Sequence, residues 1–208
     1  MERRTHGGDE IWLLSYADLI TNLLIFFLML LSASEISQTR MQEIQRSLSG
    51  KISPTSLASI QEEVEERIRK QGLEEMVTTA LTVDGLKLSL NAGVVFDTGR
   101  AAVRPDLEGV LGSMLQTLVP FSEKYRFAVE GHADNRPIPP GGRYASNWEL
   151  SAARANAVRQ RLDSVGVEKD RIRVEGYGDT KTLPEKELVG LSDGQRLARH
   201  RRVVVRIY

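Results

Sequence analysis

Residues 11–33 read IWLLSYADLITNLLIFFLMLLSA, 23 residues that carry a single charge, Asp18. At 1.5 Å rise per residue such a run makes about 34 Å of helix, enough to cross a bilayer core of roughly 30 Å. A cleaved signal sequence fits less well. Its apolar region runs only about 7–15 residues and does not hold a carboxylate at its middle. The rest of the chain offers no comparable apolar surface to bury the helix in a soluble fold. The run therefore predicts one transmembrane helix. Arg3 and Arg4 precede it, and no base follows until Arg40. This asymmetry places residues 1–10 in the cytoplasm and everything after about residue 34 outside the inner membrane, in the periplasm.

A carboxylate inside a spanning helix costs about 2.5–3.5 kcal/mol even on insertion scales, so Asp18 reads as functional. Ser15 and Thr21 stand three residues to either side of it and share its helix face, as does Asn22. Together they form a polar path through the apolar run, with Asp18, Thr21 and Ser15 as the ion-conducting candidates. A structural Asp bonded to a partner helix is the plainer alternative. A neutral Asn would serve that purpose at lower cost.

The exported part has its own texture. Residues 34–56 are mostly polar, and Met41, Ile44 and Leu48 are spaced to give a short helix a narrow apolar stripe. Residues 57–76 read as a linker helix with Leu57, Ile60, Val64 and Ile68 on one face. Its other face offers the pairs Glu63–Arg67, Glu65–Arg69 and Glu66–Lys70, each with the acid four residues before the base. From 77 to 208 the pattern is that of a folded α+β domain. Strands are expected around Leu86–Leu90, Phe127–Gly131, Ile172–Val174 and Val203–Ile207. One helix follows Pro105, with Leu107, Leu111, Met114 and Leu118 along it. A second opens at Ser146 with a capping-box Glu149, and presents Leu150, Ala153, Ala157, Val158, Leu162 and Val165. The expected architecture is a small mixed sheet with helices on one face.

Within this domain, GHADNRPI ends a strand and SNWELSAARA opens a helix. Asp134 and Arg154 are thereby presented from neighbouring elements. They can grip a zwitterion, the carboxylate taking an ammonium and the guanidinium a carboxylate. An ordinary Asp134–Arg154 salt bridge fits the spacing equally well.

These stretches, with VVFDTGRAAV, RIRVEGYGD and RRVVVRI, resemble the OmpA-like peptidoglycan-binding domain over roughly residues 80–208. WLLSYADLITNLLIFFLMLLSASE resembles the transmembrane segment of MotB and PomB stator subunits. The resemblance implies a motor subunit rather than an enzyme. Two copies would sit in a ring of a multi-span MotA-type partner and pass H⁺ or Na⁺ by way of Asp18. It implies an anchor on the diaminopimelate of peptidoglycan, gripped by Asp134 and Arg154, with Asn147, Leu150 and Ser151 of the same stretch as further peptidoglycan-binding candidates. It also implies a plug before the domain, to which Met41, Ile44 and Leu48 would belong. Ala133 and His200 depart from the Thr and Asn common in that family. Related machines, such as the Zorya phage-defence motor, share these parts, and a passive membrane-to-wall tether shares the span and the anchor.

Other chemistries find little support. Basic and acidic residues number 28 each, so no net field draws in nucleic acid. Cysteine is absent, and His6, His132 and His200 lack metal-ligand spacing. No metal or cofactor beyond the transported ion is expected. A peptidoglycan hydrolase would need a catalytic acid or metal site, and the sequence offers neither.

Overall fold

In the computed structural model, which describes residues 11–33, 56–139 and 141–208, the chain falls into two units, 1–50 and 51–208. The first contains helix α1 (Ile11–Ala33). Its stretch Trp12–Met29 is long and apolar enough to cross a membrane, and none of it is buried. The stripe expected at Met41, Ile44 and Leu48 lies outside the described residues.

The second unit opens with α2 (Leu57–Gln71). The Ser56 hydroxyl accepts the Ser59 N–H at 3.1 Å to start it, and Gly72, at φ 65°, ends it in the left-handed conformation. The sequence suggested a free linker helix over 57–76. The structure instead ends it at Gln71 and buries Ile60, Val64 and Ile68 in the core of the domain. Its charges follow suit. Glu66 and Lys70 pair at 2.6 Å as expected, but Arg67 donates to Ser113 at 2.9 Å and Glu65 accepts from Thr79. A helix docked on a sheet offers its long side chains tertiary partners that an isolated helix lacks.

The sheet contains β1 (Val77–Thr82), β2 (Gly85–Asn91), β3 (Phe127–His132), β4 (Ile172–Gly176) and β5 (Arg202–Ile207), in the order β1-β2-β5-β3-β4. All neighbours are antiparallel except β3 and β4, the parallel pair joined through helix α5 (Asn147–Ser164). Register explains the core. Leu86, Leu88 and Leu90 stand opposite Ile207, Val205 and Val203, and Phe127 and Val129 meet Ile207 and Val205 from the other side. All of these are buried. With a side-chain period of two, they place every second residue of three strands on one face, under α2, α4 (Pro105–Gln116) and α5. A short helix α3 (Ala92–Val95) follows β2, and α6 (Asp193–His200) precedes β5. The sequence had not suggested β1, α3 or α6.

Candidate functional site

Helix α5 begins as its sequence predicts. The Ser146 hydroxyl accepts the Glu149 N–H at 3.2 Å, while the Glu149 carboxylate reaches back to the N–H of Ala145 at 2.9 Å. Its first turns lie against the end of β3 with almost no space between them. A Cβ built on Gly131 would stand 2.0 Å from the Ser151 carbonyl oxygen, and one on Gly176 would stand 2.8 Å from the Ala152 methyl. Glycine at both strands is what lets α5 approach.

That contact positions the candidates. Ser151 donates to the Trp148 carbonyl and accepts the Gly178 N–H, both at 3.0 Å, so it ties α5 to the turn after β4. Asn147 donates from Nδ2 to the carbonyls of Asp134 at 3.1 Å and Arg136 at 2.9 Å, and so holds the loop after β3 in place. Leu150 is buried beside them. Asn147 and Ser151 thus shape the site, with their polar atoms engaged by the backbone.

Asp134 and Arg154 are 7% and 5% exposed. Among the described residues they form no salt bridge with each other. Asp134 Oδ2 accepts from Arg201 Nη1 at 2.7 Å, and its Oδ1 accepts the Arg136 N–H at 3.3 Å. Arg154 donates from Nε to the Arg100 carbonyl at 2.9 Å and from Nη2 to the Asp97 carbonyl at 3.3 Å, with its guanidinium over the Phe96 ring. Burial lowers the Arg154 pKa, and the nearby Arg201 lowers it further, while Tyr144 and Asp134 act in the opposite sense. The result is a buried carboxylate and a buried guanidinium, each fixed by other partners. The guanidinium has no carboxylate partner among the described residues. Arg201 is the member that sequence reasoning passed over, because it stands just before β5, 67 residues from Asp134. The only signal for it was the Arg201–Arg202 pair.

On α1, the Thr21 hydroxyl donates to the Asp18 carbonyl at 2.9 Å, and Ser15, Asp18 and Thr21 are exposed. Asp18 is the one charged side chain on this helix.

Fold and site together define a class: an OmpA-like α+β domain preceded by an apolar helix. The comparisons agree with that class along the chain. Residues 95–188 match the OmpA family, and residues 1–52 match the family described as membrane MotB of the proton-channel complex MotA/MotB. The uncharacterized protein YtxE of Bacillus subtilis is 31% identical over 89% of this chain and 87% of its own. Motility protein B of the same organism is 24% identical over 91% and 89%. Among solved structures, the cell wall anchor of the T6SS from Pseudomonas aeruginosa superposes with a TM-score of 0.59 at 28% identity, covering 70% of this chain and 96% of that one. A putative MotB-like protein from Desulfovibrio vulgaris shares the fold with a TM-score of 0.63 at 23% identity, covering 73% and 92%. The chain belongs to the MotB-type family of OmpA-like proteins.

Proposed function

We propose that the chain is the peptidoglycan-anchored, ion-conducting subunit of an inner-membrane motor of the flagellar stator type. One observation carries the reading: a lone carboxylate on an uncovered apolar helix shares a chain with a domain that buries Asp134 and a guanidinium, Arg154, without a carboxylate partner among the described residues. A passive tether needs the second feature but has no use for the first. In this account α1 spans the membrane with its N-terminus in the cytoplasm, inside a ring of a multi-span partner, beside a second copy of the chain. Uptake and release of H⁺ or Na⁺ at Asp18 alters the local charge and drives the partner's stroke. Residues 34–56, with Met41, Ile44 and Leu48, close the path until the complex is assembled.

The anchor acts through the second unit. Arg154 takes a carboxylate of the wall peptide and Asp134 its ammonium, as in diaminopimelate, which carries both groups. Binding loses little entropy at the protein, because Nε and Nη2 of Arg154 and both Asp134 oxygens are already oriented. The subunit performs no covalent chemistry. The test is co-sedimentation of residues 51–208 with purified peptidoglycan. Asp134→Ala and Arg154→Ala should each weaken binding by about 2–5 kcal/mol, roughly 30-fold or more. Two folded variants that bind like the parent would show that the site lies elsewhere.

A further inference from the structure

The sheet face away from the helices carries a second group of polar residues. Glu130 and His132 from β3, and Arg202 and Arg206 from β5, alternate onto this side, across from the core-facing Val129, Val203 and Val205. Together with Lys181 and the segment that follows it, they line a groove of about 680 Å³.

Some of its charges are matched. Arg206 Nε lies 2.6 Å from Glu130 Oε1, and Lys87 lies 3.7 Å from Asp84. Three groups are not. Arg202 donates only to the carbonyls of His200 and Lys181, each at 3.3 Å, and no carboxylate among the described residues forms a salt bridge with it. Lys181 Nζ rests 3.5 Å from the centre of the Tyr177 ring, likewise without an acidic partner among the described residues. His132 stacks on that same ring and is 3% exposed, and neither of its nitrogens has a hydrogen-bond partner among the described residues. Glu130 Oε2 is 3.7 Å from Nε2, too far for a hydrogen bond.

An imidazole carries at least one N–H in any protonation state. Leaving it buried without an acceptor forfeits its hydration with nothing in exchange, and such an orphan calls for an explanation. All three underserved groups are donors. Burial pushes the His132 imidazole below its ordinary range and pulls Arg202 down to about 10, although Glu187 and Glu130 oppose the second shift. A negative group in the groove would offset both.

We propose that this groove binds an oxyanion, a carboxylate or phosphate group, borne on a hydroxyl-rich polymer. Arg202 and Lys181 hold the oxygens, and His132 completes its hydrogen bonding when the anion enters. Thr82, Ser89, Thr180 and Thr182 line the same groove; the Thr82 and Thr180 hydroxyls donate to the Gly85 and Tyr177 carbonyls, and all four oxygens can accept from the flanking polyol or sugar. The site lies on the other side of the sheet from α5 and does not depend on the Asp134–Arg154 reading.

The test uses the full chain in detergent with isotope-labelled histidine, titrated with inorganic phosphate and separately with D-glucuronate at constant ionic strength. The three histidines are His6, His132 and His200, and His6→Asn and His200→Asn variants assign the signals. The His132 resonances should move and saturate with at least one of the two probes. Lys181→Gln, at an exposed position that leaves the fold intact, should weaken that response at least tenfold. Arg202→Gln should abolish it. A response to phosphate alone identifies a phosphodiester polymer, and one to glucuronate alone an acidic glycan. Asp134→Ala should keep the response even where peptidoglycan binding is lost, so the two sites fail separately. No saturable shift with either probe, or a shift unchanged by Lys181→Gln, overturns the proposal.

Discussion

Ile60 tests whether α2 belongs to the domain. It is fully buried on the face of α2 that also carries Val64 and Ile68. Ile60→Ala removes three carbons from that packed face and leaves a cavity that the sheet beneath cannot close. Such large-to-small changes cost about 2–5 kcal/mol. Total stabilities run about 5–15 kcal/mol, so this is a large fraction of what holds the domain together. With a urea dependence of about 2 kcal/mol per molar, the unfolding midpoint should fall by roughly 1–2.5 M. The assay is urea unfolding of residues 51–208 followed by circular dichroism. Glu63→Ala, on the exposed side of the same helix, should leave the midpoint in place. A fragment beginning at residue 77 loses all three buried side chains and should unfold at far lower denaturant or fail to fold. If Ile60→Ala and Glu63→Ala behave alike, α2 is a dispensable linker and the reasoning fails.

Gly131→Ala forces a methyl to within 2.0 Å of the α5 backbone at Ser151. The helix must shift, costing about 1–3 kcal/mol, and must carry Arg154 out of place. Thermal unfolding should show the first effect and a tenfold or greater loss in peptidoglycan co-sedimentation the second. Parent-like values in both would contradict the close approach. Burial alone would raise the Glu130 pKa, but the neighbouring His132 ring and the Arg206 guanidinium, 2.6 Å from Oε1, outweigh it and bring the group from 4.5 to about 2. Because the folded value is the lower one, its contribution is complete above pH 4.5 and disappears as pH falls towards 2. The difference is about 3 kcal/mol. Melting temperature measured across that window should fall steeply in the parent and more gently in Glu130→Gln, and equal slopes would refute the assignment.

Periodicity reads apolar stripes well and polar burial poorly, and the second unit shows both. The strand residues Leu86, Leu88 and Leu90 and the stripe of α4 were legible because one face of each is uniformly apolar. On α5 the apolar count favoured Ala153 and Ala157. The buried face instead runs through Leu150, Ser151, Arg154, Ala155, Val158 and Leu162. Hydrophobic pattern alone assigns Ser and Arg to solvent, so a face that buries polar groups is where it misleads. For α2 the stripe was correct and its destination was not, since nothing local distinguishes docking on the chain's own sheet from a free linker. β1 reads VTTALT, polar enough to pass for loop, and becomes a strand by pairing with β2. Arg201 needed the fold, because its partner is remote in sequence.

Asp18 carries the proposed motor role. The direct measurement is H⁺ and Na⁺ influx, recorded with motor output, in cells that express this chain with the proposed multi-span partner. The comparison is between the parent and Asp18→Asn at matched membrane abundance. Asn keeps the shape of the side chain and removes its ability to take up and release a cation. The account predicts that Asp18→Asn inserts normally, passes no ion and drives nothing, with Asp18→Glu retaining part of both activities. Influx and motor output from Asp18→Asn equal to the parent's would contradict it.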